Sequence, residues 1–478
     1  MPPPRVPAAA EKPLVKLVKG FSRLAIASLI SQLIAFVALA YVARRVGATN
    51  LGAYTLALLL ASYFNLVASV GVDYLAMRDL AKNKSAVGEI VGETLLLQGA
   101  MAAVMYVALL ILAPVLVADH DVETLVPIVG LIMFTTTFTL DWALLALGRS
   151  TGVAVWRMVG QVVYAALIPL LVVGGRVGIE RYAWLNILGL AVTAAGLLWV
   201  FWRYCGGRLR TSGVRALARR LRRSLPFGYS LIMVQLYASV GVLILGYFES
   251  NYVVGIYAVA GKLPLALITF ANLWISVLFP HAAQRLDDEP AEFAVDLGRM
   301  VTGALVIGAA VSIGAALCAG TLMPTMFGDA FQSAAVPFAL LSCAAALVLL
   351  QANFSNVLLA GGNERLYGVI MTVCATGMVV LNLALIPLIG IDGAAIATIV
   401  GECALTAVTL IAVRRRIGPV PLDWRMLPRG LAAVAAMALA MLAARWVGGA
   451  IVQVAAGVAF LAAAALALRI VDPRLLRG

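Results

Sequence analysis

Lys262 stands ten residues past Tyr252 inside a long apolar run. At the rise of an α-helix that places its ammonium about 15 Å along the run. Surrounded by lipid it would cost about 2.5–3.5 kcal/mol, so it should face water, an anionic ligand or a carboxylate such as that of Glu402. Glu402 itself lies twelve residues past Gly390, about 18 Å along another apolar run. A carboxylate at that depth can carry protons, which makes it a candidate for coupling to an ion gradient, H+ or Na+. Asp73 is a second candidate for that role. Asp141 and Arg157 flank the turn "GRST" on consecutive apolar runs, at similar depth. They read as a structural ion pair more readily than as a substrate contact.

The remaining cations sit near run ends. Asp73 and Arg78 could line an inner mouth or form an interfacial pair whose stems lie along apolar surface. Arg44 and Arg45 could face a cavity or anchor the outer leaflet, and Arg23 could guide an anion at the inner entrance. Other chemistries are poorly served. The two histidines, His120 and His281, are far apart, and the five cysteines include no CxxC pair. Neither a metal centre nor a disulfide framework is expected. No GxxxxGK[ST] stretch occurs, so ATP is not a direct energy source.

The elements that must hold these groups are membrane helices. Of 478 residues, 63% are hydrophobic and 12% charged, and the mean hydropathy is +1.02. No soluble domain hides that much apolar surface. Apolar runs begin near Phe21, Leu51, Gly92, Glu123, Gly152, Arg181, Ser224 and Tyr252, and again near Leu297, Gln332, Arg365, Gly390, Pro428 and Ala450. In lipid the backbone must satisfy itself, so each is expected to be a helix, giving an all-α polytopic protein of about fourteen spans. The opening stretch before residue 20 reads as a tail ahead of an uncleaved anchor.

Basic residues set the direction. With the N-terminus inside, 28 of the 35 Lys and Arg fall in inward connections and five in outward ones. Both termini should therefore be cytoplasmic. The net charge of +13 follows this pattern and implies no nucleic-acid partner.

The chain also repeats itself at an offset of 203 residues. Gln32-Leu33 falls on Gln235-Leu236, and "GAY" at Gly52 falls on "GIY" at Gly255. Six spans separate equivalent points, so two six-helix lobes should run parallel. The expected division is a tail at 1–19, a first lobe at 20–203, a basic linker at 204–223 with a Gly-pair hinge, a second lobe at 224–413, and a loop with two further helices at 414–478.

"YVARRVGATNLGAYTLA", "VGVDYLAMRDLAKN", "VVGIYAVAGKLPLAL" and "NLALIPLIGIDGAAIAT" together resemble the polysaccharide transporter family of the multidrug/oligosaccharidyl-lipid/polysaccharide exporter superfamily, which includes O-antigen and exopolysaccharide flippases. The resemblance implies two lobes forming a V around a central cavity. It also implies a flippase, not an enzyme, carrying polyprenyl-diphosphate-linked glycan across a bacterial cytoplasmic membrane, beside other polysaccharide-assembly proteins. Lys262 would then meet the diphosphate or an acidic sugar. The small-residue C-terminal helix pair could cradle a lipid tail, or simply pack closely. Asn382 and Thr398 match residue types of the sodium site in related lipid II flippases, although Ile386 stands where an acid would be expected. The alternatives are a lipid II flippase, a cation-coupled drug antiporter or, in a different class, a membrane glycosyltransferase or an O-antigen polymerase or ligase. The short outward connections argue against the enzymes, and a cationic interior argues against cationic drugs.

Overall fold

The computed structural model describes residues 8–117, 119–205, 209–211, 213–265, 268 and 290–467, with the side chains of the first helix from Ile30 onward. Its helices are α1 (Ala8–Ser69), α2 (Val72–Lys82), α3 (Val87–Leu116), α4 (His120–Gly130), α5 (Ile132–Thr137), α6 (Asp141–Ala146), α7 (Ser150–Leu171), α8 (Gly175–Cys205), α9 (Val214–Phe248) and α10 (Asn251–Ala260). They continue with α11 (Pro290–Phe327), α12 (Ala335–Ala360), α13 (Glu364–Ile417), α14 (Met426–Val447) and α15 (Ala450–Ala467). No strand occurs among the described residues. Ten described helices are long and apolar enough to cross a bilayer. Their outward faces are as greasy as their cores: Val115 is 82% exposed, Leu170 76% and Leu388 77%. Only lipid makes such a surface stable.

Two of the long helices are broken internally. Gly47 (φ 80°, ψ 171°) interrupts α1, and Ile389 with Gly390 interrupts α13. These breaks fall where the second and twelfth spans were expected to begin. Helix formation starts at Ala8, inside the stretch expected as a tail, because "AAAEKPLVKLVK" is rich in strong helix formers. The expected eighth span begins as α10, pauses at Gly261, resumes at Lys262 and then leaves the described residues. Pro264 falls in the first turn after that pause, where no helical donor is lost.

Contacts group the chain into two compact units. Unit one comprises Met1–Val46 and Leu56–Ile232; unit two comprises Gly47–Thr55 and Met233–Gly478. Residues 214–223, expected as part of a linker, form the first turns of α9 and are fastened within unit one. Arg220, largely buried, donates to Glu93 of α3 at 3.0 Å and lies 3.9 Å from Asp79. The backbone N–H of Arg210 donates to the Gly88 carbonyl at 3.1 Å. The Gly206-Gly207 pair lies outside the described residues.

In unit two, the two halves of the "GAY"/"GIY" repeat touch. A Cβ on Gly52 would fall 1.8 Å from the Asn251 carbonyl oxygen, and one on Gly255 would fall 2.0 Å from that of Ala48. Ala48 and Asn251 are themselves 203 residues apart, so the contact is reciprocal under the repeat. Only glycine permits this approach of two backbones. The C-terminal helices α14 and α15 pack on α11. Gln453, 1% exposed, ties α15 to it by donating to the Leu317 carbonyl at 3.2 Å and accepting from Thr321 at 3.1 Å.

Candidate functional site

Polar residues in apolar helices recur at intervals that put them on one face. Asn65 and Ser69 lie one turn apart at the end of α1, and Asp73 follows in α2. α7 presents Ala154, Arg157, Gln161 and Tyr164, and α8 presents Asn186, Leu190 and Thr193, at spacings of three and four. These faces converge within unit one on a cavity of about 600 Å³. Gln32 of α1, Gln98 of α3, Thr136 of α5, and Asp141 and Trp142 of α6 complete its polar lining. The volume lies within the range of about 300–1,000 Å³ typical of ligand sites.

Close helix crossing shapes the cavity floor. A Cβ on Gly160 would lie 2.0 Å from the Thr193 hydroxyl and 2.5 Å from the Gly189 carbonyl oxygen. Thr193 donates to that same carbonyl at 3.0 Å. Tyr164 donates to the Tyr182 hydroxyl at 2.9 Å, fixing one wall. Thr136 donates to the Asn65 carboxamide oxygen at 2.8 Å, joining α5 to α1.

Three charged side chains line this space: Asp73, Asp141 and Arg157. Arg157 is ion-paired with Asp141. Asp141 opens α6 and accepts from the Trp142 backbone N–H at 2.9 Å, a position where a helix dipole favours an anion. Asp73 is within electrostatic reach of Asp141 but shares no ion pair with Arg157. Its Oδ1 is buried without a hydrogen-bond partner, and so is Nε2 of Gln161. One is an acceptor and the other a donor. The carboxamides of Gln32, Asn65, Gln98 and Asn186 add further donors and acceptors. This lining offers hydrogen-bond donors and acceptors to a polar ligand.

The other sequence-derived residues lie elsewhere. Arg44 and Arg45 are exposed and do not line the cavity, and the Arg45 guanidinium lies over the Tyr41 ring at 5.4 Å. Arg78 lies over Phe227 at 5.6 Å and 3.8 Å from Asp79, also off the cavity. The Arg23 side chain lies outside the described residues. In unit two Lys262 is exposed, and no described carboxylate, Glu402 included, makes an ion pair with it.

Glu402 is buried in α13, 6% exposed, close to Tyr237 of α9, whose buried hydroxyl makes no hydrogen bond among the described residues. One turn along α9, Gly241 faces the carboxamide oxygen of fully buried Asn382. Asn382 donates to the Met378 carbonyl at 2.8 Å, leaving that oxygen without a partner. The Thr398 hydroxyl lies 3.4 Å from that of Tyr257. Among the described residues, no group of three His, Cys, Asp or Glu side chains could hold a metal.

The carboxamide set was missed in reading the sequence, which weighed charge over spacing. Its signal was present: Asn65, Ser69 and Asp73 repeat every four residues, and Gln161 and Asn186 anchor the stripes on α7 and α8.

The fold has known counterparts. Over 93% of this chain and 98% of the other, it superposes on the lipid II flippase MurJ in an inward closed conformation, with a TM-score of 0.76 and 11% identity. An inward-facing multidrug resistance MATE family transporter of the MOP superfamily matches over 83% of this chain and 98% of its own, with a TM-score of 0.60 and 15% identity. An outward-facing one matches over 84% and 95%, with a TM-score of 0.53 and 16% identity. No curated protein sequence matches the chain. The family model described as polysaccharide biosynthesis protein matches residues 17–285, more than half of the sequence. The chain thus belongs to the polysaccharide biosynthesis protein family, on the flippase and transporter fold of the MOP superfamily.

Proposed function

We propose that this protein is a flippase that moves a polyprenyl-diphosphate-linked oligosaccharide from the inner to the outer leaflet of the bacterial cytoplasmic membrane. It acts by alternating access, in the synthesis of a surface polysaccharide such as O-antigen, with both termini in the cytoplasm. The observation that carries this reading is a 600 Å³ cavity lined by carboxamides, hydroxyls and charge, inside helices whose outer faces are apolar. A sugar head group needs hydrogen bonds wherever it leaves water, and the cavity supplies them within the hydrocarbon depth. The polyprenyl tail stays in lipid. Nothing covalent is asked of the protein, so no catalytic residue is assigned.

Lys262 supplies an ammonium for the diphosphate in this account, and its exposure and lack of a described carboxylate partner support that role. Glu402 is the coupling group: a buried carboxylate can exchange its charge for a proton or hold a cation. The coupling ion is H+ or Na+.

A lipid II flippase is the second reading, favoured by the MurJ likeness across 93% of the chain. One experiment separates the two. The full-length protein is reconstituted in vesicles with fluorescent undecaprenyl-diphosphate trisaccharide or with fluorescent lipid II, and leaflet exchange is followed by quenching from outside. Faster exchange of the trisaccharide lipid is expected. Exchange of lipid II alone, or of neither lipid, overturns the proposal.

A further inference from the structure

We propose that the unit-one cavity selects a sugar head group free of acidic residues, reading hydroxyl and N-acyl groups and excluding uronic or other carboxylated sugars. This rests on the flippase reading and narrows its substrate class.

The first ground is charge. Three side chains of formal charge line the cavity, and Arg157 is already engaged by Asp141. The remaining charge is the Asp73 carboxylate, so the cavity presents about one negative charge to its contents. A carboxylated sugar placed beside Asp73 would meet a group of like formal charge, which disfavours it. Recruiting Arg157 would mean breaking its pair and leaving Asp141 uncompensated, which is costlier still.

The second ground is the pair of unsatisfied atoms. Asp73 Oδ1 can only accept and Gln161 Nε2 can only donate, and both are buried without partners. A hydroxyl is donor and acceptor at once and can serve either atom, whereas a carboxylate can serve only Gln161. The lining carboxamides also complement an N-acetyl group, whose amide offers one donor and one acceptor. The diphosphate is not part of this selection, because Lys262 lies outside the cavity.

The test uses two undecaprenyl-diphosphate trisaccharides, identical except that one carries a hexuronic acid in place of a neutral hexose. Both are bound to the full-length protein in nanodiscs and transported in vesicles. The neutral glycan should bind at least about tenfold more tightly to the wild type, the size expected of one charge-assisted hydrogen bond gained against a like charge. Asp73→Asn should shrink that preference to about threefold or less, by losing affinity for the neutral glycan and gaining it for the acidic one. Gln161→Leu should weaken the neutral glycan about tenfold.

Equal or tighter binding of the acidic glycan by the wild type would overturn the inference, and that comparison needs no variant to fold. Equal transport of both would leave the flippase reading standing and this one fallen. Transport of neither would end both.

Discussion

Under the proposed function, Lys262 and Glu402 divide the work at the residue scale. Exchanging Lys262 for Gln keeps the length of the side chain and removes the charge. Export of surface glycan should fall at least about tenfold at equal protein level, the worth of one charge-assisted contact to a phosphate. Undiminished export would remove Lys262 from the account. Glu402→Gln should leave head-group binding intact while uncoupling transport, so that a pH or Na+ gradient no longer accelerates exchange in vesicles. Retained gradient dependence would place coupling elsewhere. Both residues were legible in the sequence because a charge in an apolar run is conspicuous. Their surroundings were not: pairing Lys262 with Glu402 was reasonable from depth, yet Glu402 is buried near Tyr237 and no described carboxylate pairs with Lys262. Depth along a helix fixes one coordinate, and the rotation and neighbour of a side chain come only from packing.

At the scale of the element, small residues and caps decide whether the site exists. Gly160→Ala would drive a Cβ into the Thr193 hydroxyl and the Gly189 carbonyl, and overpacking of this kind costs about 1–3 kcal/mol. The thermal midpoint of the purified protein should drop and head-group binding should weaken together. An unchanged midpoint would mean that α7 and α8 can part without penalty.

Asp423, in the connection before α14, accepts from the backbone N–H groups of Met426 and Arg425 at 3.0 and 2.9 Å. These bonds hold its carboxyl below the usual carboxylate range, that of Met426 foremost. A lowered folded-state pKa stabilises the fold above the unfolded-state value and is lost as pH falls through the folded one. Asp423→Ala should therefore lower the midpoint at neutral pH, with the gap to wild type closing as pH falls from roughly 5 to 3. A gap that stays constant with pH would show that the cap contributes no charge-dependent stability.

Most helix positions followed from apolar runs, but one feature did not. The span expected from Glu123 is three helices, α4, α5 and α6. The threonines of "TTTFT" explain the interruption. Thr135, Thr137 and Thr139 return their hydroxyls to backbone carbonyls three or four residues earlier, which competes with the regular ladder and bends the chain. The breaks at Gly47 and at Ile389–Gly390 fall beside Leu51 and at Gly390, where separate spans were expected to begin.

The whole molecule follows from one imbalance: 63% hydrophobic residues need lipid, and the few polar residues within the helices then become informative. The membrane fold and the family could be read from composition and motif order. The cavity could not, since it needs α1, α2, α3 and α5 to α8 placed around a common space, and no linear spacing encodes that convergence. The repeat came closest to three-dimensional information, because the matched Gly52 and Gly255 do meet.

The central claim is that a glycan head group enters the unit-one cavity during transport. A photo-crosslinking amino acid at Leu190, on the cavity wall, tests it beside the same group at Val155, half exposed on the apolar face of α7. With radiolabelled undecaprenyl-diphosphate trisaccharide in vesicles, label released with the sugar should attach at position 190 and not at 155. Transport that proceeds with no sugar label at position 190 would contradict the account.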